Sequence, residues 1–224
     1  MFPAPKRSPS FLALGVSLAV IFTLLGYQRS TLTLVYIFKP LAILLIIGLA
    51  LQNWSRHKSA YSQAIVTGLC FSLLGDLLLI WPDQYFLAGL GAFLLAHVAY
   101  LLAFNRDAGF PARLPVLLIY LSIGALCYGV LFPTLPADLR VPVALYATLL
   151  AAMAGQAMGR LLELRTSGSR RAAIGAIFFM LSDLLLAFHR SRSPLVYSES
   201  FILVPYYLGQ WLIASSTTAN GPPA

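Results

Sequence analysis

Two aspartates inside long apolar runs are the residues of this chain best suited to chemistry. Asp76 lies in the run FSLLGDLLL (71–79), and Asp183 lies in the run FFMLSDLLL (178–186), 107 residues later. A charged carboxylate at the centre of a membrane helix costs about 2.5 to 3.5 kcal/mol on insertion scales, so each must be paired, protonated or used. Two such groups in one cavity can act as proton donor and proton acceptor.

A cation and a histidine accompany the aspartates at membrane depth. Lys39-Pro40 lies some eight residues inside the second apolar run, and Phe93, His97 and Tyr100 form one stripe at i, i+4 and i+7. Each has a structural explanation as well. The lysine could be an interfacial anchor that reaches the head groups, and the histidine could be a packing residue with satisfied hydrogen bonds.

Further polar side chains lie near the two aspartates. Ser72 shares a helix face with Asp76, Ser182 precedes the second aspartate, and Tyr207 and Gln210 follow a proline in the last apolar run. These groups reach similar depths, which predicts one shared cavity. The structural alternative is that a protonated Asp76 only hydrogen-bonds another helix.

Helices of a membrane bundle must position these residues. The chain has 224 residues, of which 59% are hydrophobic and only 10% charged, too few polar side chains to coat a soluble globule. The fold class is therefore all-α, a polytopic membrane protein forming one transmembrane domain over 1–224, with no segment left for a soluble domain. Runs of about 20 apolar residues predict eight transmembrane helices. They lie near 10–27, 31–51, 62–81, 84–104, 113–132, 141–162, 171–189 and 195–215.

Basic residues predict the orientation of the bundle. The loops on one side hold ten Lys and Arg, and those on the other side hold four, so both termini are expected in the cytoplasm. The outer loops are then 28–30, 82–83, 133–140 and 190–194. The protein is expected in the cell membrane, and in the inner membrane if it is bacterial. The net charge of +8 thus needs no nucleic-acid partner. The ten are Lys6, Arg7, Arg56, Lys58, Arg106, Arg113, Arg160, Arg165, Arg170 and Arg171; the four are Arg29, Arg140, Arg190 and Arg192.

The spacing of the two aspartates also predicts an internal repeat. Tyr100 and Tyr207 each follow their aspartate by 24 residues, and Tyr146 takes the position of Lys39. Halves of four spans have the same orientation, which gives a 4+4 parallel repeat over 1–110 and 111–224. Chance similarity between apolar sequences is the alternative. The two cysteines, both inside spans, predict neither a disulfide framework nor a cysteine metal site.

Taken in order, the polar motifs of these spans resemble those of a known family. They are Lys39-Pro40, Ser72-x-x-Gly75-Asp76, Phe93-x-x-Ala96-His97-x-x-Tyr100, Gly175-Ala176-x-x-Phe179-x-x-Ser182-Asp183 and Tyr206-Tyr207-x-x-Gln210. The chain is identified from them as resembling the YhhN family of eight-span membrane proteins over nearly its whole length. Ala96 departs from the glycine expected before the histidine.

The resemblance implies an ether hydrolase of lipid metabolism. Animal members of the family are lysoplasmalogenases, which cleave the vinyl ether bond of lysoplasmalogens to a fatty aldehyde and a glycerophospho-alcohol. It implies a hydrolase for lysoplasmalogens or a related lysolipid, with membrane lipids and a lysophospholipid substrate as partners and no cofactor. The oligomeric state is left open.

Protonation of a vinyl ether gives an oxocarbenium ion that water captures, so the chemistry needs an acid and a base. The expected catalytic residues are Asp76 and Asp183, which divide these roles in an order the sequence leaves open, with His97 to orient water or relay a proton. Lys39 would fix a carboxylate or a head-group oxygen, and Tyr207 and Gln210 would position the glycerol. The expected substrate-binding residues are Lys39, Ser72, Tyr100, Ser182, Tyr207 and Gln210.

Two other functions fit the same residues. One His and two Asp on separate helices could bind zinc with a water as fourth ligand, although no local His-x-x-x-His spacing supports it. A proton-coupled transporter of a small or lipid-like substrate also shows internal repeats, intramembrane charges and proline-broken helices. Aldehyde release in detergent, where no gradient exists, would favour the enzyme, whereas flux without product would favour the transporter.

Overall fold

Eight α-helices account for nearly all of the described chain. The computed structural model describes residues 9–191 and 198–218, and this part contains no β-strand, which confirms the all-α fold class. Short 3₁₀ helices follow α5 at Phe132–Thr134 and α8 at Ser216–Thr218. The α-helices are α1 Pro9–Gln28, α2 Leu32–His57, α3 Ala60–Leu78, α4 Pro82–Phe104, α5 Leu114–Leu131, α6 Ala137–Leu164, α7 Ser167–Ser191 and α8 Ser198–Ser215.

Seven of these helices, α1 to α7, are long and apolar enough to cross a membrane, so the protein is a multi-pass membrane protein. Within the described residues α8 falls short of that apolarity because Glu199, Pro205, Tyr206, Tyr207 and Gln210 lie among its 18 residues. It nevertheless packs along α7 and contacts α1, α2 and α3. The eighth predicted span is thus a helix of the bundle whose polar side is turned to its neighbours.

Some helices extend beyond the apolar runs that predict them, because polar residues continue the helix at its end. α2 runs to His57, beyond the predicted end at 51, and stops where Lys58 takes a left-handed backbone with φ of 43°. α7 begins at Ser167 instead of 171. There Thr166 and Ser169 exchange hydrogen bonds between backbone N–H and side-chain oxygen at 3.0 and 3.1 Å, the reciprocal pattern of a helix start.

The turn between α3 and α4 is a correction to the predicted loops. Residues 82–83 were expected outside the helices, but Pro82 and Asp83 form the first turn of α4, and the connection is 79–81. Proline is favoured at the first helical position because it lacks the N–H that would be unpaired there. The connection at 133–140 is shortened in the same way, because α6 already begins at Ala137.

Orientation and repeat stay predictions. Lys6, Arg7, Arg192, positions 192–194 of the last outer loop and the Gly-Pro-Pro-Ala tail lie outside the described residues. In the bundle, α1 to α4 pack consecutively, as do α5 to α8, and α4 contacts α6 while α8 contacts α2.

An aromatic cluster fills the centre of the bundle. The ring of Phe179, fully buried on α7, makes edge contacts with Phe93, His97, Tyr100 and Tyr206 at centroid distances of 6.2, 4.9, 6.4 and 5.5 Å. The helices that carry these rings approach closely where glycines face each other. A Cβ at Gly175 would lie 2.8 Å from the Gly209 carbonyl oxygen, so only glycine permits this crossing of α7 and α8.

Polar contacts tie the α4–α5 connection to α6 at one end of the bundle, which we call the closed end. The fully buried Arg160 guanidinium donates two hydrogen bonds to Asp107 at 2.7 and 2.6 Å and stacks 4.7 Å over the Tyr61 ring. Gln156 accepts from the Ala112 N–H at 3.0 Å. A two-bond arginine to carboxylate contact is specific in geometry, so the α4–α5 connection is fixed against α6.

Candidate active site

A cavity of about 820 Å³ opens at the end of the bundle opposite the closed end. Its wall is mostly apolar, with α5 and α6 contributing leucines, alanine and glycine. Its polar groups come from every α-helix except α4 and from the 3₁₀ helix after α5, and they include both aspartates. The charged or hydroxyl-bearing residues on the wall are Tyr27, Lys39, Asp76, Tyr128, Thr134, Tyr146, Ser182, Asp183, His189, Arg190, Glu199 and Tyr206.

Asp76 on α3 forms the first polar centre. Lys39 of α2 places its Nζ 3.7 Å from Oδ1, and the Tyr206 hydroxyl of α8 donates to Oδ2 at 2.6 Å. Both charged side chains are about 95% buried. A buried carboxylate needs a counter-charge and hydrogen bonds, and this centre supplies both.

Gly75 brings α4 close to this centre. A Cβ at Gly75 would lie 2.6 Å from the Phe93 ring, so a larger residue would push α4 away from α3. Phe93 in turn contacts Tyr206 at a ring distance of 5.9 Å, which holds the tyrosine that bonds the carboxylate. The small residue beside the aspartate thus positions its hydroxyl partner indirectly.

Asp183 on α7 forms the second polar centre, with different partners. The Tyr146 hydroxyl of α6 donates to Oδ2 at 2.5 Å, and His97 Nε2 of α4 lies 3.8 Å from the same oxygen. That distance is too long for a direct hydrogen bond. Neither ring nitrogen of the fully buried His97 has a hydrogen-bond partner within the described chain, and its ring contacts Tyr146 edge-on at 5.0 Å.

The two centres are built alike but differ in charge. Each aspartate receives one partner from the preceding helix of its own half and one from the last helix of the other half. The preceding partners, Lys39 and Tyr146, are 107 residues apart, as are the aspartates. Asp76 therefore faces a cation, whereas Asp183 faces a neutral hydroxyl.

Three of the expected substrate-binding residues form a hydrogen-bond chain away from the cavity wall. Tyr100 donates to Gln210 Oε1 at 2.7 Å, and its oxygen lies 3.3 Å from the Ser72 hydroxyl. Gly68 makes room for the tyrosine, because a Cβ there would lie 2.3 Å from its ring. None of these three side chains lines the cavity, so the structure brings them together with one another and not with the carboxyl groups.

The remaining expected residues are near the carboxyl groups in different ways. Ser182 lines the cavity and donates to the Ile202 carbonyl at 2.7 Å. Tyr207 donates to the Lys39 carbonyl at 3.3 Å and supports the lysine backbone without touching Asp76. Adjacent residues on a helix point about 100° apart, so only one of Tyr206 and Tyr207 can face the carboxylate.

Sequence reasoning missed both tyrosines that bond the carboxyl groups. Tyr206 belongs to the motif Tyr206-Tyr207-x-x-Gln210, but the sequence does not distinguish it from its neighbour. Tyr146 takes the repeat position of Lys39, and that equivalence is the sequence signal for its pairing with Asp183. No three His, Cys, Asp or Glu side chains of residues 9–191 and 198–218 are grouped so that they could hold a metal ion.

Comparison with known proteins identifies the family to which the chain belongs. The family model described as YhhN family matches residues 34–217, from α2 into the 3₁₀ helix after α8, and so includes both carboxyl centres. The chain belongs to the YhhN family. α1, which contributes Tyr27 to the cavity, lies outside the matched region.

Relatives in the YhhN family include animal and bacterial membrane proteins. Human "Lysoplasmalogenase TMEM86A" is 36% identical over 174 residues, which cover 75% of this chain and 69% of that protein. Human "Lysoplasmalogenase TMEM86B" is 33% identical, in an alignment that covers 76% of this chain and 70% of that protein. Membrane protein YhhN of Escherichia coli O157:H7 is 30% identical, in an alignment that covers 81% of this chain and 86% of that protein. No solved structure matches this chain.

Proposed function

We propose that the protein is an ether hydrolase that cleaves the vinyl ether bond of lysoplasmalogens, or of a related lysolipid, to a fatty aldehyde and a glycerophospho-alcohol. Two human relatives, each aligned with this chain over about 70% of its own length, are named lysoplasmalogenases. The observation that carries the proposal is a pair of aspartates, one buried and one half-buried, with different partners on the wall of one apolar cavity.

The cavity suits a lipid with a single chain. Its volume of about 820 Å³ lies within the range of small-ligand sites, about 300 to 1,000 Å³. Besides Tyr128 and Tyr146, the part of the wall contributed by α5 and α6 consists of Gly124, Cys127, Leu131, Leu139, Val143, Ala147 and Leu150. These side chains offer no hydrogen bonds of consequence, so they can accept a hydrocarbon chain while the polar centres hold the ether end.

Asp183 is proposed as the general acid. Its partners are a hydroxyl and a histidine 3.8 Å away, and no lysine or arginine of the described chain forms an ion pair with it. It can therefore carry a proton without leaving an unpaired charge. In the first step that proton moves to the carbon of the double bond farther from oxygen, and the other carbon becomes an oxocarbenium centre.

Asp76 is proposed as the base, kept ionised by Lys39. Its negative charge stabilises the oxocarbenium ion, and its oxygen takes a proton as water adds to form a hemiacetal. The hemiacetal then collapses: Asp76 returns its proton to the departing glycerol oxygen, and the hemiacetal hydroxyl gives its proton to Asp183. Both carboxyl groups end as they began, and one water has been consumed. His97 is proposed to orient Asp183 or the water.

The deciding experiment is incubation of the purified protein in detergent with a lysoplasmalogen and a panel of lysophospholipids, with aldehyde measured by mass spectrometry. The saturated ether analogue should yield no aldehyde because it has no double bond to protonate. Asp183→Asn and Asp76→Asn should each lower the rate by at least about 10²-fold. Asp138→Asn is the matched control, since Asp138 is exposed at the start of α6 and does not line the cavity.

Other results of the same assay would redirect the proposal. Near-normal hydrolysis by both folded Asn variants would rule out the carboxyl pair as acid and base. Activity abolished by a chelator and restored by zinc would move the aspartates to metal binding. Substrate flux in proteoliposomes without any product would favour the proton-coupled transporter.

A further inference from the structure

The cavity mouth carries two opposite charges that the proposed chemistry does not use. Arg190 is the next-to-last residue of α7 and Glu199 is the second residue of α8, and both line the cavity. Arg190 stacks over the Phe86 ring, with 4.4 Å between its guanidinium carbon and the ring centroid. Across residues 9–191 and 198–218, neither side chain forms an ion pair with the other or with any other residue.

Both charges lie on the mouth side of the carboxyl centres. Arg190 follows Asp183 by seven residues on α7, and Glu199 precedes Tyr206 by seven residues on α8. Seven residues are close to two helical turns, so each charge lies on the same face as the site residue below it, about 10 Å farther along the axis. Since α7 and α8 run in opposite directions along each other, both displacements point to the mouth.

The spacing matches a lysophospholipid whose ether bond is at the aspartates. Five bonds separate the ether oxygen from phosphorus, roughly 6 Å when extended. The arginine side chain can bridge the remaining few ångströms. The phosphate carries a negative charge and the ethanolamine nitrogen a positive one, so the head group offers one partner for each residue at the mouth.

We propose that Arg190 and Glu199 form a head-group subsite for a phosphoethanolamine lysolipid, in which Arg190 binds the phosphate and Glu199 binds the ammonium. This rests on the proposed function and adds its head-group specificity. Arginine suits phosphate because its planar group donates two parallel hydrogen bonds. A carboxylate favours a primary ammonium, which donates N–H bonds, over a choline nitrogen, which has none.

The test compares Arg190→Gln and Glu199→Gln on three substrates with the same alkenyl chain: the phosphoethanolamine, the phosphocholine and the phosphate-free alkenylglycerol. We expect Arg190→Gln to raise KM at least about tenfold for both phospholipids, with little change in kcat and none for alkenylglycerol. We expect wild type to prefer ethanolamine and Glu199→Gln to remove that preference. Arg113→Gln and Glu163→Gln are the controls, because these residues pair with each other and lie off the cavity.

Several outcomes would overturn the subsite while leaving the hydrolase intact. They are an unchanged KM in Arg190→Gln, an equal rise with alkenylglycerol, or an ethanolamine preference that survives Glu199→Gln. Competition by inorganic phosphate as strong as that by soluble glycerophosphoethanolamine would show a simple anion site instead. If wild type hydrolyses nothing, equilibrium binding of the uncleavable saturated ether lysolipids to the same variants still decides the subsite, because it needs no catalysis.

Discussion

Replacing Lys39 by Met tests whether the lysine and Asp76 act as one unit. Their charged atoms are 3.7 Å apart, and at an effective dielectric constant of about 20 two unit charges at that distance attract by about 4.5 kcal/mol. Removal of one partner from a buried pair typically costs about 3 to 5 kcal/mol, because the other charge is left uncompensated. We therefore expect Lys39→Met to destabilise the protein by an amount in that range.

A double-mutant cycle isolates the pairing. Lys39→Met, Asp76→Asn and the double variant are unfolded in the same detergent, and we expect the double variant to be more stable than Lys39→Met alone. The control cycle uses Arg113 and Glu163, whose 2.7 Å ion pair is shorter but has both side chains 43% exposed. Exposed pairs contribute about 1 kcal/mol or less, since water screens them. The longer pair should thus show the larger coupling.

The result that would refute this reasoning is a Lys39–Asp76 coupling no larger than the surface control. Activity gives an independent readout from the same four proteins. If the lysine works by keeping the carboxylate ionised, the double variant should be no slower than Asp76→Asn, since residues acting as a unit are not additive. If the double variant instead loses activity by the product of the two single-variant factors, Lys39 has a separate role.

Three shorter predictions concern the second centre, helix packing and orientation. Tyr146→Phe removes the hydrogen bond from the second aspartate, so it should lower kcat about tenfold or more and lower stability by about 1 to 3 kcal/mol in thermal unfolding. Tyr36→Phe, at an exposed tyrosine, should change neither. Gly75→Ala should destabilise by about 1 to 3 kcal/mol in thermal unfolding, while Gly91→Ala, with open space at its Cβ, should be neutral or slightly stabilising. In otherwise intact cells, Ser193→Cys should react with impermeant thiol reagents from outside; reaction only after lysis would reverse the orientation.

The sequence was sufficient for those site residues whose presence in an apolar run is itself unusual. Lys39, Asp76 and Asp183 stand out because a buried charge is costly, and the structure places all three on one cavity. His97 was found by the same argument and lies beside the second carboxyl group. The membrane helices could also be predicted from the sequence, because bilayer thickness sets the length of an apolar run that crosses the membrane.

The hydroxyl partners and the head-group charges could not be chosen from sequence alone. Tyrosines are common in membrane helices, and which of them faces a carboxyl group depends on helix rotation, as Tyr206 and Tyr207 show. Ser72, Tyr100 and Gln210 share the depth of the site but turn to one another. Depth follows from sequence position, whereas rotation is decided by packing, here by glycines such as Gly68 and Gly75.

The polarity of α8 has a consequence for how the chain enters the bilayer. The helix supplies Glu199 and Tyr206 to the cavity and Gln210 to the buried network, and these residues keep it below the apolarity of the other seven helices. A segment of this kind is poorly recognised by an insertion machinery that tests each helix separately. Because α8 lies along α7, we expect the two to insert together as a helical hairpin. The residues that make the site would then also make the last helix dependent on its neighbour for biogenesis.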